Sequence, residues 1–206
     1  MKLENRLKRL KKSVYQANIK LYESGFITAT FGNVSGIDRK SNTVAIKPSG
    51  ISYNKLKVED MVLISLDGKK ISGVLNPSSD TKTHLILYRS FPEIGGVTHT
   101  HSIYASAFAQ AKLAIPCLGT SMLIIKTFKT IDYRSIKACL VACHGPFTWG
   151  ENANESVDIA IALENVAKLA YFSLSLNSSV SNIKKSLLDK HYLRKHGKDA
   201  YYGQDD

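Results

Sequence analysis

Cysteine is scarce in this 206-residue chain, and the few present exclude more than they suggest. Cys117, Cys139 and Cys143 are an odd number in a chain too long to need disulfides, which predicts a reducing compartment. Cys139-x3-Cys143-His144 has no second cysteine pair to complete a metal knuckle, so the three thiols are read as small buried hydrophobes. No apolar run approaches the roughly 18 residues of a membrane span, so no membrane partner is expected. The basic N-terminus lacks the apolar stretch and cleavage site of a signal peptide, and the expected location is cytoplasmic. Repeats, low-complexity linkers and a glycine-rich nucleotide fingerprint are all missing. Acidic residues are also few, 17 against 28 lysines and arginines, leaving a formal charge of +11.

That charge raises nucleic acids and small anions as partners. Six of the first twelve residues are basic. The same stretch carries Leu3, Leu7, Leu10, Val14, Ala17 and Leu21 at steps of three and four, the pattern of an amphipathic helix with a solvated basic face. No aromatic-interleaved strand pair or recognition helix accompanies it. Nucleic acid is therefore not expected as a partner, and a small anionic substrate is.

A helix over residues 4–24 ends at Gly25. Short strands are predicted around 27–30, 34–37 and 43–47. Met61–Leu66 and Lys70–Val74 flank Asp67-Gly68, a strong hairpin signal. Helices follow over 80–90 and 102–111, with a strand carrying His99 and His101 between them. A buried strand over 138–142 ends at His144. Two last helices cover 153–176 and 181–195. Strands, hairpins and helices interspersed in this way predict one α/β domain over residues 1–206, with a central, mainly antiparallel sheet flanked by helices.

The chemistry concentrates between Asn76 and His101. In a strand, residues i and i+2 leave the same face about 7 Å apart, so His99 and His101 can close on one ion, and imidazole suits Zn²⁺. Asp80 opens a helix and His144 ends a strand, so a carboxylate and a third imidazole stand at element ends. Each has an ordinary alternative: a surface strand pair, a helix cap, a core histidine. Lys47-Pro48-Ser49-Gly50 has the small residues and adjacent cation of an anion cradle, and equally the composition of a plain turn.

Six motifs occur in order: Thr30-Phe31-Gly32-Asn33-Val34-Ser35, Lys47-Pro48-Ser49-Gly50, Pro77-Ser78-Ser79-Asp80, His99-Thr100-His101, His144-Gly145-Pro146-Phe147 and Lys190-His191-Tyr192-Leu193-Arg194-Lys195-His196-Gly197. Together they resemble the L-ribulose-5-phosphate 4-epimerases of the class II aldolase/epimerase family, over nearly the whole chain. The resemblance implies a three-layer fold and a Zn²⁺ site, or that of a similar divalent metal, made by Asp80, His99, His101 and His144. It implies a sugar-phosphate substrate, held by Asn33, Ser49, Gly50, Ser78 and Ser79 with Lys47 beside them. It also implies retro-aldol and aldol chemistry that inverts C4. Tyr202 and His191, with Lys47, are the implied catalytic groups, the first two reaching a neighbour's site in a homotetramer.

The resemblance breaks after Gly119-Thr120-Ser121. The family carries an acid/base Asp shortly after that point, where this chain reads Met122-Leu123-Ile124 and is shortened between about 121 and 138. Asp132 is the only carboxylate between Gly119 and His144, and either a substitute base or a loop carboxylate fits it. A ketose-phosphate aldolase and a non-catalytic metal- and phosphate-binding protein are the alternatives that this gap leaves open.

Overall fold

The computed structural model describes residues 2–119, 132–196 and 198. Its first element, α1 (Leu3–Glu23), buries Val14, Ala17, Asn18 and Leu21, and Gly25 follows it at φ 77°. The buried face is the three-and-four pattern read in the sequence, and the lysines keep to the outside. Among the described residues seven strands follow: β1 (Asn33–Asp38), β2 (Thr43–Ile46), β3 (Val62–Ser65), β4 (Lys70–Ser72), β5 (Gly96–His99), β6 (Ala138–Val141) and β7 (Gly145–Gly150). They form one sheet in the order β4-β3-β2-β1-β5-β7-β6, antiparallel at every pairing.

Alternation of side chains gives the sheet two dressed faces. On one, α2 (Thr81–Ser90) lays Leu85, Leu87 and Tyr88 against Ile37, Val44, Ile46, Val97, Phe147 and Trp149. On the other, α1 and α4 (Ala153–Leu176) cover Val34, Ala45 and Leu63. Beside them α3 (Ile103–Gln110) packs Ala105 and Phe108 against Leu163 and Ala167 of α4. The result is the three-layer α/β arrangement expected from the sequence, with α5 (Lys185–His196) last.

By length and composition α4 is the one described helix that could cross a membrane, which a search for unbroken apolar runs does not reveal. Here its small residues, Ala153, Ala160, Ala167 and Ala170, let it lie close on the sheet. The hydroxyl of Ser156 meets that of Thr98 at 2.7 Å and ties the helix to β5. Its outer face keeps Leu169, Tyr171, Phe172 and Leu176 exposed.

Four expectations need correction. The strand expected to carry both histidines, β5, ends at His99, and His101 lies beyond it on the link to α3. Residues 27–30 form no strand: the Phe31 amide donates to Thr28, and Ala29 has φ 55°, so the chain turns there. Strand β7 escaped prediction because Gly-Pro reads as a strand end, yet Pro146 sits inside it. It offers the ladder no N–H, and its carbonyl accepts from the Thr100 amide just beyond the end of β5. Of the cysteines, which are all free, Cys139 is buried as expected but Cys143 is exposed, in a turn at φ 59°. The apolar stretch 122–128 lies outside the described residues.

Gly95 and Gly96 mark where the β7–α4 turn crosses the start of β5. A Cβ on Gly96 would lie 2.3 Å from the Asn152 carbonyl oxygen and 2.4 Å from the Ala153 nitrogen, both backbone atoms that cannot swing away. Gly96→Ala is expected to destabilise the fold by about 3 kcal/mol, the upper part of the range for overpacking, read as a lowered urea midpoint.

Candidate active site

The site is built outward from the last residue of β5. His99 is fully buried, paired across the sheet with Asn33 of β1 on one side and Phe147 of β7 on the other. The Phe147 ring stacks on its imidazole at 4.2 Å. Nδ1 of His99 lies 2.9 Å from the Pro146 carbonyl. A carbonyl only accepts, so Nδ1 carries the hydrogen and Nε2 presents a lone pair. That lone pair meets His101 Nε2 at 3.1 Å. His144 arrives from the β6–β7 turn, closed by its own amide donating to Val141. Gly145 next to it has no room for a side chain, because a Cβ would stand 2.7 Å from the Thr100 oxygen.

Asp80 occupies the N-cap position of α2, where an Asp side chain ordinarily accepts from the first turn. It makes no such bond. Its carboxylate turns inward, to 3.9 Å from His99 Nε2 and 3.7 Å from His144 Nε2. Asn33 donates to it at 2.8 Å and the Ser78 hydroxyl at 3.3 Å. Asn33 is itself steadied by Asn18 of α1, which pairs with both the N–H and the carbonyl of neighbouring Val34. Burial pushes the Asp80 carboxyl upward, but His99 and the Asn33 bond outweigh it and the net shift is downward. Burial lowers His99 to about 4, against the pull of Asp80, and it also lowers His101. An ionised carboxylate beside neutral imidazoles is the protonation pattern that metal ligation requires.

The donor set fits a divalent cation. His99, His101 and His144 offer ring nitrogens within 4.8 Å of one another. Ligands about 2.1 Å from a common ion in a tetrahedron stand roughly 3.4 Å apart, and the 3.1, 3.7 and 3.9 Å separations bracket that edge. Three imidazoles and a carboxylate are borderline-to-hard donors suited to Zn²⁺ or a first-row neighbour.

Beside the cluster lies a cleft of about 290 Å³, lined by Asn33, Lys47, Ser49, Gly50, Ser78 and Ser79 along with Phe31, Asp80, His101 and His144. Two loops make its floor. The Ser49 amide donates to Asn76 and the Ser78 amide to Lys47, so the loops are zipped together as a short ladder. Lys47 is 1% exposed and forms no ion pair among the described residues. Its ammonium has two long contacts to carbonyls, at 3.5 Å, and the Tyr53 ring at 4.6 Å. Burial lowers its pKa to about 8. A buried cation without a carboxylate is costly unless an anion completes it.

A model of the class II aldolase and adducin N-terminal domain matches residues 12–171. The chain belongs to that family. It is 41% identical to the L-ribulose-5-phosphate 4-epimerase UlaF of Salmonella paratyphi C, over 96% of this chain and all of the relative. The same figures hold for the protein of that name from Salmonella choleraesuis. The match runs over 227 residues, more than this chain has, so the relatives carry residues without a counterpart here. Among solved structures, an L-fuculose 1-phosphate aldolase superposes with a TM-score of 0.78 at 24% identity, covering 89% of this chain and 94% of its own. The enzyme of that name from Glaciozyma antarctica gives 0.79 at 17%, covering 93% and 83%. At these identities the likeness is one of fold.

Within this class II aldolase domain some functional candidates had no role assigned from the sequence. His84 stands one helical turn after Asp80 on the same face of α2, fully buried, with Nδ1 2.7 Å from the Ser35 hydroxyl. Ser35 continues to Tyr88 at 2.9 Å. Burial first, then His99, lowers His84 to about 3, so it stays neutral. Phe147 packs against His84, His99 and His144 together. Phe31, 56% exposed at the cleft, tilts against His101 at 5.5 Å.

Two other expected groups, His191 and Asp132, are not at the cluster of their own chain. His191 is on α5, accepting at Nδ1 from Arg194 at 3.0 Å, and does not line the cleft. Tyr202 lies outside the described residues. Asp132 does not line the cleft of its own chain: its carboxylate accepts from Ser135 and from the Arg134 amide in a turn docked on Trp149. Trp149 pairs with Val97, at the end of β5 away from the His101 side.

Lys47 sets a pH dependence. It is cationic below about 8 and neutral above, so affinity for inorganic phosphate is expected to fall as pH rises through and beyond that value. Isothermal titration between about pH 6.5 and 9.5 measures it. Lys47→Met should weaken phosphate binding by about 10- to 100-fold, and should raise the melting temperature of the unliganded protein at neutral pH.

Proposed function

We propose that this protein is a zinc-dependent L-ribulose-5-phosphate 4-epimerase, converting L-ribulose 5-phosphate to D-xylulose 5-phosphate by retro-aldol cleavage and re-addition. The observation that carries this reading is the meeting in one cleft of three imidazoles and a carboxylate with a buried lysine lacking a counter-charge. The relatives' shared name supports the substrate. In this reading Asp80, His99, His101 and His144 hold the zinc, which when bound supplies Lewis acidity to the substrate's oxygens.

The remaining work falls to the chain's own groups. Lys47 takes the phosphate charge, with Gly50 and the hydroxyls of Ser49 and Ser79 around it. Ser78 and Asn33 hold Asp80 ionised and turned inward. The C4 hydroxyl must lose its proton for the C3–C4 bond to break and regain one on the opposite face, so each face needs an acid/base. We assign one to Tyr202, with His191 beside it, reaching from a neighbouring subunit of a homotetramer. The exposed apolar outer face of α4, with Leu169 at 64% and Leu176 at 88%, supports assembly. Three free cysteines suit the reducing cytoplasm.

A specific observation favours a second reading, aldolase cleavage without inversion. Residues 102–131 contain no Asp, Glu or His, and Asp132 is tied into its own turn. One domain over residues 1–206, shortened between about 121 and 138, is the organisation we propose with it.

Zinc-loaded protein incubated with L-ribulose 5-phosphate is expected to form D-xylulose 5-phosphate. Release of glycolaldehyde phosphate in its place would establish the aldolase, and neither product would leave a binding protein. His99→Ala should lose stoichiometric zinc by elemental analysis. Tyr202→Phe should keep zinc and lose at least about 100-fold in turnover, the contribution of a positioned acid/base.

A further inference from the structure

Glu164 is a buried carboxylate to which the proposed reaction gives no task. It projects from α4, is 3% exposed, and forms no ion pair among the described residues. Its two oxygens accept from consecutive backbone amides of α3, Oε1 from Tyr104 at 2.9 Å and Oε2 from Ala105 at 2.9 Å. Those amides belong to the first turn of a helix, where no intrahelical partner exists. The local residue that would ordinarily serve them, Ser102, makes no side-chain cap. Its hydroxyl instead accepts from Thr100 at 3.1 Å. The cap of α3 has therefore been moved to another helix, 60 residues along the chain.

The consequence lies just upstream. His99 is the last residue of β5 and Ile103 the first of α3, so His101 rides on a three-residue link between two anchored ends. His99 is oriented by Pro146 through its other ring nitrogen. Among the described residues His101 has no such bond; it is exposed and touches the Phe31 ring. Its position is thus inherited from the backbone, and one end of that backbone is held by Glu164. The α4 end of the contact is firm, since Ser156 joins α4 to Thr98 of β5.

We propose that Glu164 is a positioning residue for the metal cluster, capping α3 from α4 and thereby fixing the segment that carries His101. This rests on the reading that the histidine cluster holds zinc. Glu164→Gln keeps the volume but sets an amide NH₂ against one of the two backbone donors.

The test compares this variant with the full-length wild type by zinc competition against a chromophoric chelator, by the visible spectrum of the Co²⁺-loaded protein, and by inorganic phosphate titration. Zinc affinity should fall roughly 10- to 100-fold, the range for lost ligand-orienting contacts, and the Co²⁺ bands should shift. Phosphate affinity should hold within about twofold, because Lys47, Ser49, Gly50, Ser78 and Ser79 sit on other loops. Glu164→Gln/Ser102→Asn, which restores a local cap, should recover most of the zinc affinity.

Unchanged zinc affinity and an unchanged Co²⁺ spectrum in Glu164→Gln would overturn the proposal. So would zinc and phosphate binding declining together, which marks a general loss of fold. If the single variant does not fold, a folded double variant that still binds zinc weakly decides against it. Wild-type protein that fails to bind zinc would defeat the reading of the site itself, a distinguishable result.

Discussion

One row of residues across three strands governs this structure: Asn33, His99 and Phe147, side by side on β1, β5 and β7. Asn33 holds the carboxylate, His99 supplies the buried imidazole, and Phe147 walls it in. A one-residue slip of β5 would send His99 to the α4 face and break all three relationships at once. The register is secured by Gly96, where only a residue without Cβ lets the β7–α4 turn pass, and by the apolar cluster around Val97 and Trp149.

Around that row the polar groups divide by depth. His84, Ser35 and Tyr88 form a buried chain of hydrogen bonds, and His99 and Asp80 are oriented by neighbours that leave little freedom. His101 and His144 approach from the outer side on a link and a turn, with more exposure. A divalent ion there would join a deeply buried ligand to more exposed ones. Lys47 shows the matching cost: an ammonium buried without a carboxylate is unfavourable in the empty protein and favourable once an anion arrives.

Much of the architecture was legible because periodicity reports burial. The α1 face, the Asp67-Gly68 hairpin and α4 followed from spacing and turn chemistry. Strand β7 did not, because Gly-Pro normally ends strands, yet here Pro146 pairs inside one, opposite Leu140. Asp80 was legible as a helix-opening residue, but its side chain abandons the cap for the histidines. His84 and Glu164 gave no local signal, since a His on an apolar helix face and a Glu in a long helix are ordinary by themselves.

The sequence alone determined the family, the fold class and the identity of the metal- and phosphate-binding candidates, because those rest on residue types at short spacings. The tertiary structure alone decided which oriented which. Asn33 reaches Asp80 across 47 positions, and Glu164 reaches Tyr104 across 60. Contacts of that range depend on the register of strands and the seating of helices, and both are set by packing across the whole sheet rather than by any local pattern.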